Sequence, residues 1–268
     1  MDLFISFSEL FFLNFEGFVD SLILTPILIT WIAFLFICLF LILIFLKLFG
    51  EIGMYIYTVV AIICANIQIL KIVEFPFFRE PIALGTILFS TTFLATDILT
   101  EYYGSNFAKK NVFIGFSGFL LMTLFMLFTM GFTPLSLEFL SNGYDWAISI
   151  QENLRNIFMP LPIFFISSMI AYFISQYFDI WFFSKISSIT NKRYLWIRNN
   201  FSTMISGLLD NTIFSLFAWI ILNPNPLELN TVLFTFILGT YFLRIIIAIF
   251  DTPFIYLAKY FLPNKNYD

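Results

Sequence analysis

The sequence predicts an all-α integral membrane protein. Three observations carry that expectation: apolar runs near the roughly 20 residues that a spanning helix needs, very few charges, and basic residues gathered in alternate loops. Of 268 residues, 60% are hydrophobic, 21% aromatic and 11% charged. A soluble domain carries roughly a quarter of its residues as Asp, Glu, Lys or Arg. This chain has too few charges to wet the surface of a globule.

The first 26 residues hold Asp2, Glu9, Glu16 and Asp20 and no Lys or Arg, the reverse of a basic signal-peptide n-region. Phe4, Phe7, Phe11, Phe12, Phe15 and Phe18 recur there at near-helical spacing, which predicts a segment lying along the membrane surface. Seven spans are then expected, over 27–49, 52–73, 82–103, 112–132, 158–183, 202–222 and 231–260. Gly50-Glu51-Ile52-Gly53 makes a short turn between the first two. Pro76, Pro81, Pro134, Pro224 and Pro226 fall between spans, where a missing N–H does least harm. Neither an internal repeat nor a low-complexity linker divides the chain. The expected organisation is a surface segment over 1–26, an extra N-terminal helix over 27–49 and a six-helix domain over 52–260.

Short cytoplasmic loops hold an excess of Lys and Arg. With the N-terminus outside, the inner segments collect Lys47, Lys109, Lys110, Lys185, Lys192, Arg193, Arg198, Lys259 and Lys265. The outer segments keep Lys71, Arg79 and Arg155, and Arg244 falls inside the last span. Nine against three favours an outside N-terminus and a cytoplasmic C-terminus.

Several function classes drop out. The chain has no histidine, which removes the usual metal ligand and near-neutral proton carrier. Cys38 and Cys64 lie in apolar runs and read as buried small hydrophobes. A net charge of −4 gives no reason to expect bound nucleic acid, and no G-x-x-x-x-G-K-[ST] loop is present for nucleotide hydrolysis. No cofactor is expected.

An ionisable group at the centre of a spanning helix costs about 2.5–3.5 kcal/mol on insertion scales, and such groups usually face a cavity or a partner. Asp97, Asp179, Asp210, Arg244 and Asp251 stand in predicted spans, with Asn66 and Gln68 beside them. Thr86, Ser90, Asp97, Glu101 and Gly104 share one stripe of the third span. Ser168, Tyr172, Gln176 and Asp179 make a stripe on the fifth, and Thr203, Ser206 and Asp210 on the sixth. Arg244 and Asp251, seven apart, share a face of the seventh. Four helices each presenting a polar stripe read as the lining of one site. Blander readings stand beside this one: Asp179 and Glu101 reaching headgroups at helix ends, Asp251 serving only as partner to Arg244, and Asn66 acting as interhelical glue. Asn66 and Gln68 point to opposite sides of their helix, so at most one of them faces such a site well.

The polar stretches also carry a family likeness. CANIQILKIVEFPFF, FSTTFLATDILTEYYG and AKKNVFIGF, then SQYFDIWFF, YLWIRNNFSTMISGLLDNTIFSLFAW and YFLRIIIAIFDTPFIYLA, resemble the motifs of the queuosine precursor transporter family in order, over about residues 55–258. That family is also grouped among vitamin uptake transporters. Two positions depart from it: Arg244 stands where Lys is usual, and Gly207 where many members have Gln. The resemblance implies a six-helix core similar to the substrate-binding components of energy-coupling-factor transporters. It further implies import of 7-cyano-7-deazaguanine, 7-aminomethyl-7-deazaguanine or queuine across the bacterial inner membrane for tRNA queuosine modification.

The chemistry of such a base suits the polar residues. Its N1–H and exocyclic amine are parallel donors for a carboxylate, Asp97 or Asp210, while O6 takes a donor from Asn66, Ser202, Thr203 or Arg244. Phe or Tyr rings would cover its faces. Gln68 and Glu101 complete the candidate set, with Asp179 and Asp251 for a proton or second-carboxylate role. Dependence on a separate ATP-driven module, a homo-oligomer, and another vitamin or nucleobase as cargo stay open. An intramembrane aspartyl protease is the remote alternative; its expected G-x-G-D does not match Gly207-Leu208-Leu209-Asp210.

Overall fold

The computed structural model describes residues 8–78, 81–136, 143–159 and 161–263. Phe4, Phe7 and Asp2 of the predicted surface segment, and Arg79 and Lys265 of the charge count, lie outside the described residues. The elements run α1 (Phe15–Leu24), α2 (Ile27–Phe49), α3 (Glu51–Gln68), β1 (Ile72–Val73), β2 (Ile82–Ala83), α4 (Thr86–Tyr102), α5 (Ser105–Met130), α6 (Asp145–Phe158), α7 (Leu161–Ile189), α8 (Leu195–Ile221) and α9 (Leu229–Phe261). Among the described residues, six helical stretches are long and apolar enough to cross a membrane: α2, α3, α5, α7 together with α6, α8 and α9. The protein is an all-α membrane bundle.

α2 shows how a uniformly greasy helix is divided. Trp31, Leu35, Cys38, Leu39, Ile42, Leu43 and Leu46 fall on one stripe and are buried against α3, α4 and α9. Ile29, Ile37, Phe40 and Ile44 stay exposed on the other face, where lipid is as good a solvent as protein. α3 begins at Gly50, whose φ of 59° is a left-handed value that glycine adopts without a Cβ clash.

α4 is the axis of the bundle. It packs against α2, α3, α5, α7, α8 and α9, and every residue from Thr86 to Leu99 except Phe89 is buried. With 17 residues it is shorter than its neighbours. Its hydroxyls are tolerated because they donate to backbone oxygens of their own helix, Thr91 to Leu88, Thr92 to Phe89, Thr96 to Thr92 and Thr100 to Thr96. Side chains tie it to its neighbours. Tyr57 Oη of α3 donates to Thr91 Oγ1 at 2.7 Å, Asn111 Nδ2 of α5 to Thr96 Oγ1 at 3.5 Å, and Gln176 Nε2 of α7 to Thr92 Oγ1 at 3.2 Å.

Between α3 and α4 the chain forms a small antiparallel pair, Ile72 opposite Ala83 and Val73 opposite Ile82. This corrects the predicted spans 52–73 and 82–103, which had absorbed both strands. β-branched and apolar residues extend a hydropathy run without extending a helix. Gly85 then turns the chain into α4 with φ of 101°, and a Cβ there would lie 2.7 Å from the Ala65 carbonyl oxygen.

α8 and α9 close the bundle through π-helical turns. The last five residues of α8, Phe217–Ile221, and eight residues of α9, Val232–Gly239, are wound this way. Such turns are uncommon and cluster at functional sites. At the opposite end, the turn from α7 to α8 holds Asn191, Lys192 and Tyr194 at φ of 49°, 61° and 56°.

Candidate functional site

The buried polar groups fall into three levels along the bundle. At the end carrying the β1–β2 pair, a cleft of about 550 Å³, including its open mouth, lies between α4, α7, α8 and α9. The space open to water within it is only about 50 Å³, so a base-sized guest would have to widen it. Its walls are mostly apolar and aromatic, with Phe89, Phe214, Trp219 and Phe236. Trp219 and Phe236 stand on the two π-helical turns, their ring centroids 4.6 Å apart.

One ion pair marks the cleft. Arg244 Nη2 donates to Asp210 Oδ2 at 2.7 Å, and Ser175 Oγ donates to Asp210 Oδ1 at 3.0 Å. Both charged side chains are about 10% exposed. Arg244 keeps Nε and Nη1 without a partner, and so does the Trp219 indole N–H. The cleft thus offers a carboxylate, free N–H donors and flat apolar walls. Gly207 faces the arginine stem, since a Cβ there would stand 3.6 Å from Arg244 Cδ. The two positions that depart from the family pattern therefore meet, and the small residue leaves room for the larger cation.

Further along α8 lies the second level. Thr203 Oγ1 donates to Asp97 Oδ2 at 3.1 Å, Ser206 Oγ to Asp179 Oδ1 at 2.7 Å, and Asn199 Nδ2 to Asp251 Oδ1 at 2.9 Å. These carboxylates come from α4, α7 and α9, and Asp97, Ser202 and Thr203, expected from sequence to touch the base, stand at this level and not in the walls of the cleft. Ser202 lies among them and donates to the Asn199 carbonyl at 3.3 Å.

The third level is a clasp. Arg198 Nη2 and Nε donate to Glu101 Oε1 and Oε2 at 2.5 and 3.1 Å, a bidentate pair across α8 and α4. Arg198 Nη1 also donates to the carbonyls of Lys192 and Arg193, both at 3.1 Å. Those bonds hold the turn whose positive φ values cost of order 1–3 kcal/mol each.

Several readings of the sequence, among them some of the blander alternatives, need correction. Arg198 is not a loop cation; α8 starts at Leu195 and its guanidinium is buried. Asp179 does not reach headgroups, being fully buried, and Glu101 is spent on Arg198. Asp251 is not the partner of Arg244, which pairs with Asp210 instead. Asn66 uses its amide N–H on the Ile62 carbonyl of its own helix, and Gln68 ends α3; neither lines the cleft. Reasoning from sequence missed Arg198, Asn199, Ser175, Trp219 and Phe236. The first two continue the stripe Ser202, Ser206, Asp210 at helical spacing, and were lost by starting the sixth span at 202.

A helical membrane bundle with a carboxylate–guanidinium pair in an aromatic cleft has the build of a small-solute transporter. Residues 83–258 match the family described as "Putative vitamin uptake transporter". The chain is 34% identical over 237 residues, 88% of its own length and 96% of the relative's, to the "Probable queuosine precursor transporter" of Bacillus subtilis (strain 168). No solved structure matches. The chain belongs to this transporter family and is a membrane transporter, not an enzyme.

Proposed function

We propose that this protein imports a 7-deazaguanine precursor of queuosine across the bacterial inner membrane, with its N-terminus outside and the cleft facing outward. The observation that carries the reading is the Asp210–Arg244 pair within aromatic walls. A deazaguanine is flat, apolar on its faces and polar at its edge. Asp210 accepts from its N1–H and exocyclic amine, the free Arg244 N–H groups donate to O6, and Trp219 and Phe236 cover a face. The pair satisfies both charges in the empty state, so neither is left bare in a low-dielectric site. The name of the Bacillus subtilis relative supports the same cargo class.

The test is uptake of 7-cyano-7-deazaguanine, 7-aminomethyl-7-deazaguanine and queuine by a precursor-auxotrophic bacterium expressing this chain, read as queuosine in tRNA. At least one base should restore queuosine. A host lacking energy-coupling subunits should give the same result for an autonomous carrier. Well-inserted protein that restores queuosine from none of the three would overturn the reading.

A further inference from the structure

The buried groups that the proposed binding cleft does not use lie farther along α8, around Asp97, Asp179 and Asp251. These side chains are 0%, 0% and 1% exposed. The Asp97 and Asp179 side chains are close enough to interact with one another, and Asp251 is within electrostatic reach of both.

Each of the three carboxyls has one oxygen satisfied, by Thr203, Ser206 or Asn199. Beyond the Ser202 hydroxyl, which is spent on the Asn199 carbonyl and lies within reach of Asp179, what is left over is acceptor. Asp97 Oδ1, Asp179 Oδ2 and Asp251 Oδ2 have no donor. Independently of the carboxylates, neither does the amide oxygen of Asn199, a fully buried residue whose Nδ2 already points at Asp251. A cluster of buried acceptors without donors lacks hydrogens, and unsatisfied buried acceptors are costly.

Charge balance points the same way. Arg198 is committed to Glu101 and Arg244 to Asp210, so neither buried cation is free to neutralise the cluster. The lysines of the surrounding helices, Lys47, Lys109, Lys110, Lys185 and Lys259, are exposed, and the inward titratable groups are uncharged: Tyr57 bonds Thr91, Tyr102 bonds the Ile255 carbonyl, Tyr172 lies toward Asp210, and Cys38 is a buried thiol. From α5, the neutral Asn111 faces α3 and α4. Among the described residues, no group of three or more Asp, Glu, Cys or His side chains could hold a metal ion. A proton needs only a pair of carboxyl oxygens.

We propose that Asp97 and Asp179, with Asp251 and Asn199 beside them, hold one proton between their carboxyl oxygens, and that this proton travels inward with the substrate. The coupling half of the inference rests on the import reading; the proton site does not. α8 supplies the link, since Thr203, Ser206 and Asp210 share one of its faces. A base engaging Asp210 shifts the helix that also bonds Asp97 and Asp179. The proton is taken from water on the cleft side and released from the same carboxyl pair to water on the other side.

The full chain in lipid vesicles tests both halves. Infrared difference spectra between acid and alkaline buffer, without any base present, should show a titrating carboxylic-acid C=O band that is lost in Asp97→Asn and in Asp179→Asn. In vesicles clamped at zero potential, a pH gradient of about one unit, acid outside, should support up to about tenfold accumulation of labelled 7-cyano-7-deazaguanine with one proton per base. Exchange of labelled for unlabelled base, which needs no gradient, is measured in parallel. Absence of a titrating band lost in these variants overturns the proton site. Exchange that proceeds while accumulation ignores the pH gradient, or follows a sodium gradient, overturns the coupling and leaves the cargo intact. A band that behaves as expected without exchange of any of the three bases upholds the proton site and counts against the cargo.

Discussion

Arg198 and Glu101 grip one another from α8 and α4 through two N–H···O bonds, with the arginine side chain 2% and the glutamate 22% exposed. A single guanidinium thereby fastens the central helix, the start of α8 and the turn before it, because Nη1 also holds the carbonyls of Lys192 and Arg193.

Arg198→Ala should destabilise the purified protein by roughly 3–5 kcal/mol, the cost of stripping one partner from a buried pair. Arg198→Lys should rescue little, because an ammonium cannot reproduce the bidentate fork and the two carbonyl bonds together. Thermal unfolding in detergent reads both variants. A lysine variant that melts with the wild type would mean that the clasp contributes charge alone.

Asp210 and Arg244 should behave as one unit. Asp210→Asn and Arg244→Gln should each lower base uptake by at least about tenfold, some 1.4 kcal/mol or more of lost stabilisation. The double variant should lose no more than the worse single one, since the second change removes a partner already stranded. Losses that multiply would show two independent contacts instead of a pair.

The proposed membrane orientation rests on the charge distribution and can be tested directly. In a background with Cys38 and Cys64 replaced by Ala, a cysteine at Lys71, on the strand-bearing end, should react with a membrane-impermeant maleimide added to whole cells. One at Lys192, in the α7–α8 turn, should react only after the membrane is opened. The reverse pattern would invert the topology and turn the cleft toward the cytoplasm.

The helical membrane class was legible because lipid demands long apolar runs, and those runs survive in any reading frame of hydropathy. Helix ends were less so. Ile72-Val73 and Ile82-Ala83 are as apolar as the spans they adjoin, and only their pairing with each other takes them out of the helices. Polar stripes on α4, α7, α8 and α9 were visible as spacing, since an inward-facing Asp or Ser recurs every three or four residues. Which stripe members meet was not visible. Arg244 could have paired with Asp251 on its own face, and the choice of Asp210 depends on how α8 and α9 cross. The aromatic lining was hidden for a different reason: with 40 Phe in the chain, Phe236 carries no mark that separates it from a lipid-facing ring.

The make-up of α4 has a consequence for how the protein is built. Six Ser or Thr residues and Asp97 within 17 positions leave it poorly suited to leave the translocon alone, where a central Asp weighs against insertion by about 2.5–3.5 kcal/mol. Helices made before and after it must hold it in the bilayer. The ribosome therefore delivers the middle of this protein before the parts that make the middle soluble in lipid are complete, and assembly has to finish from the outside in.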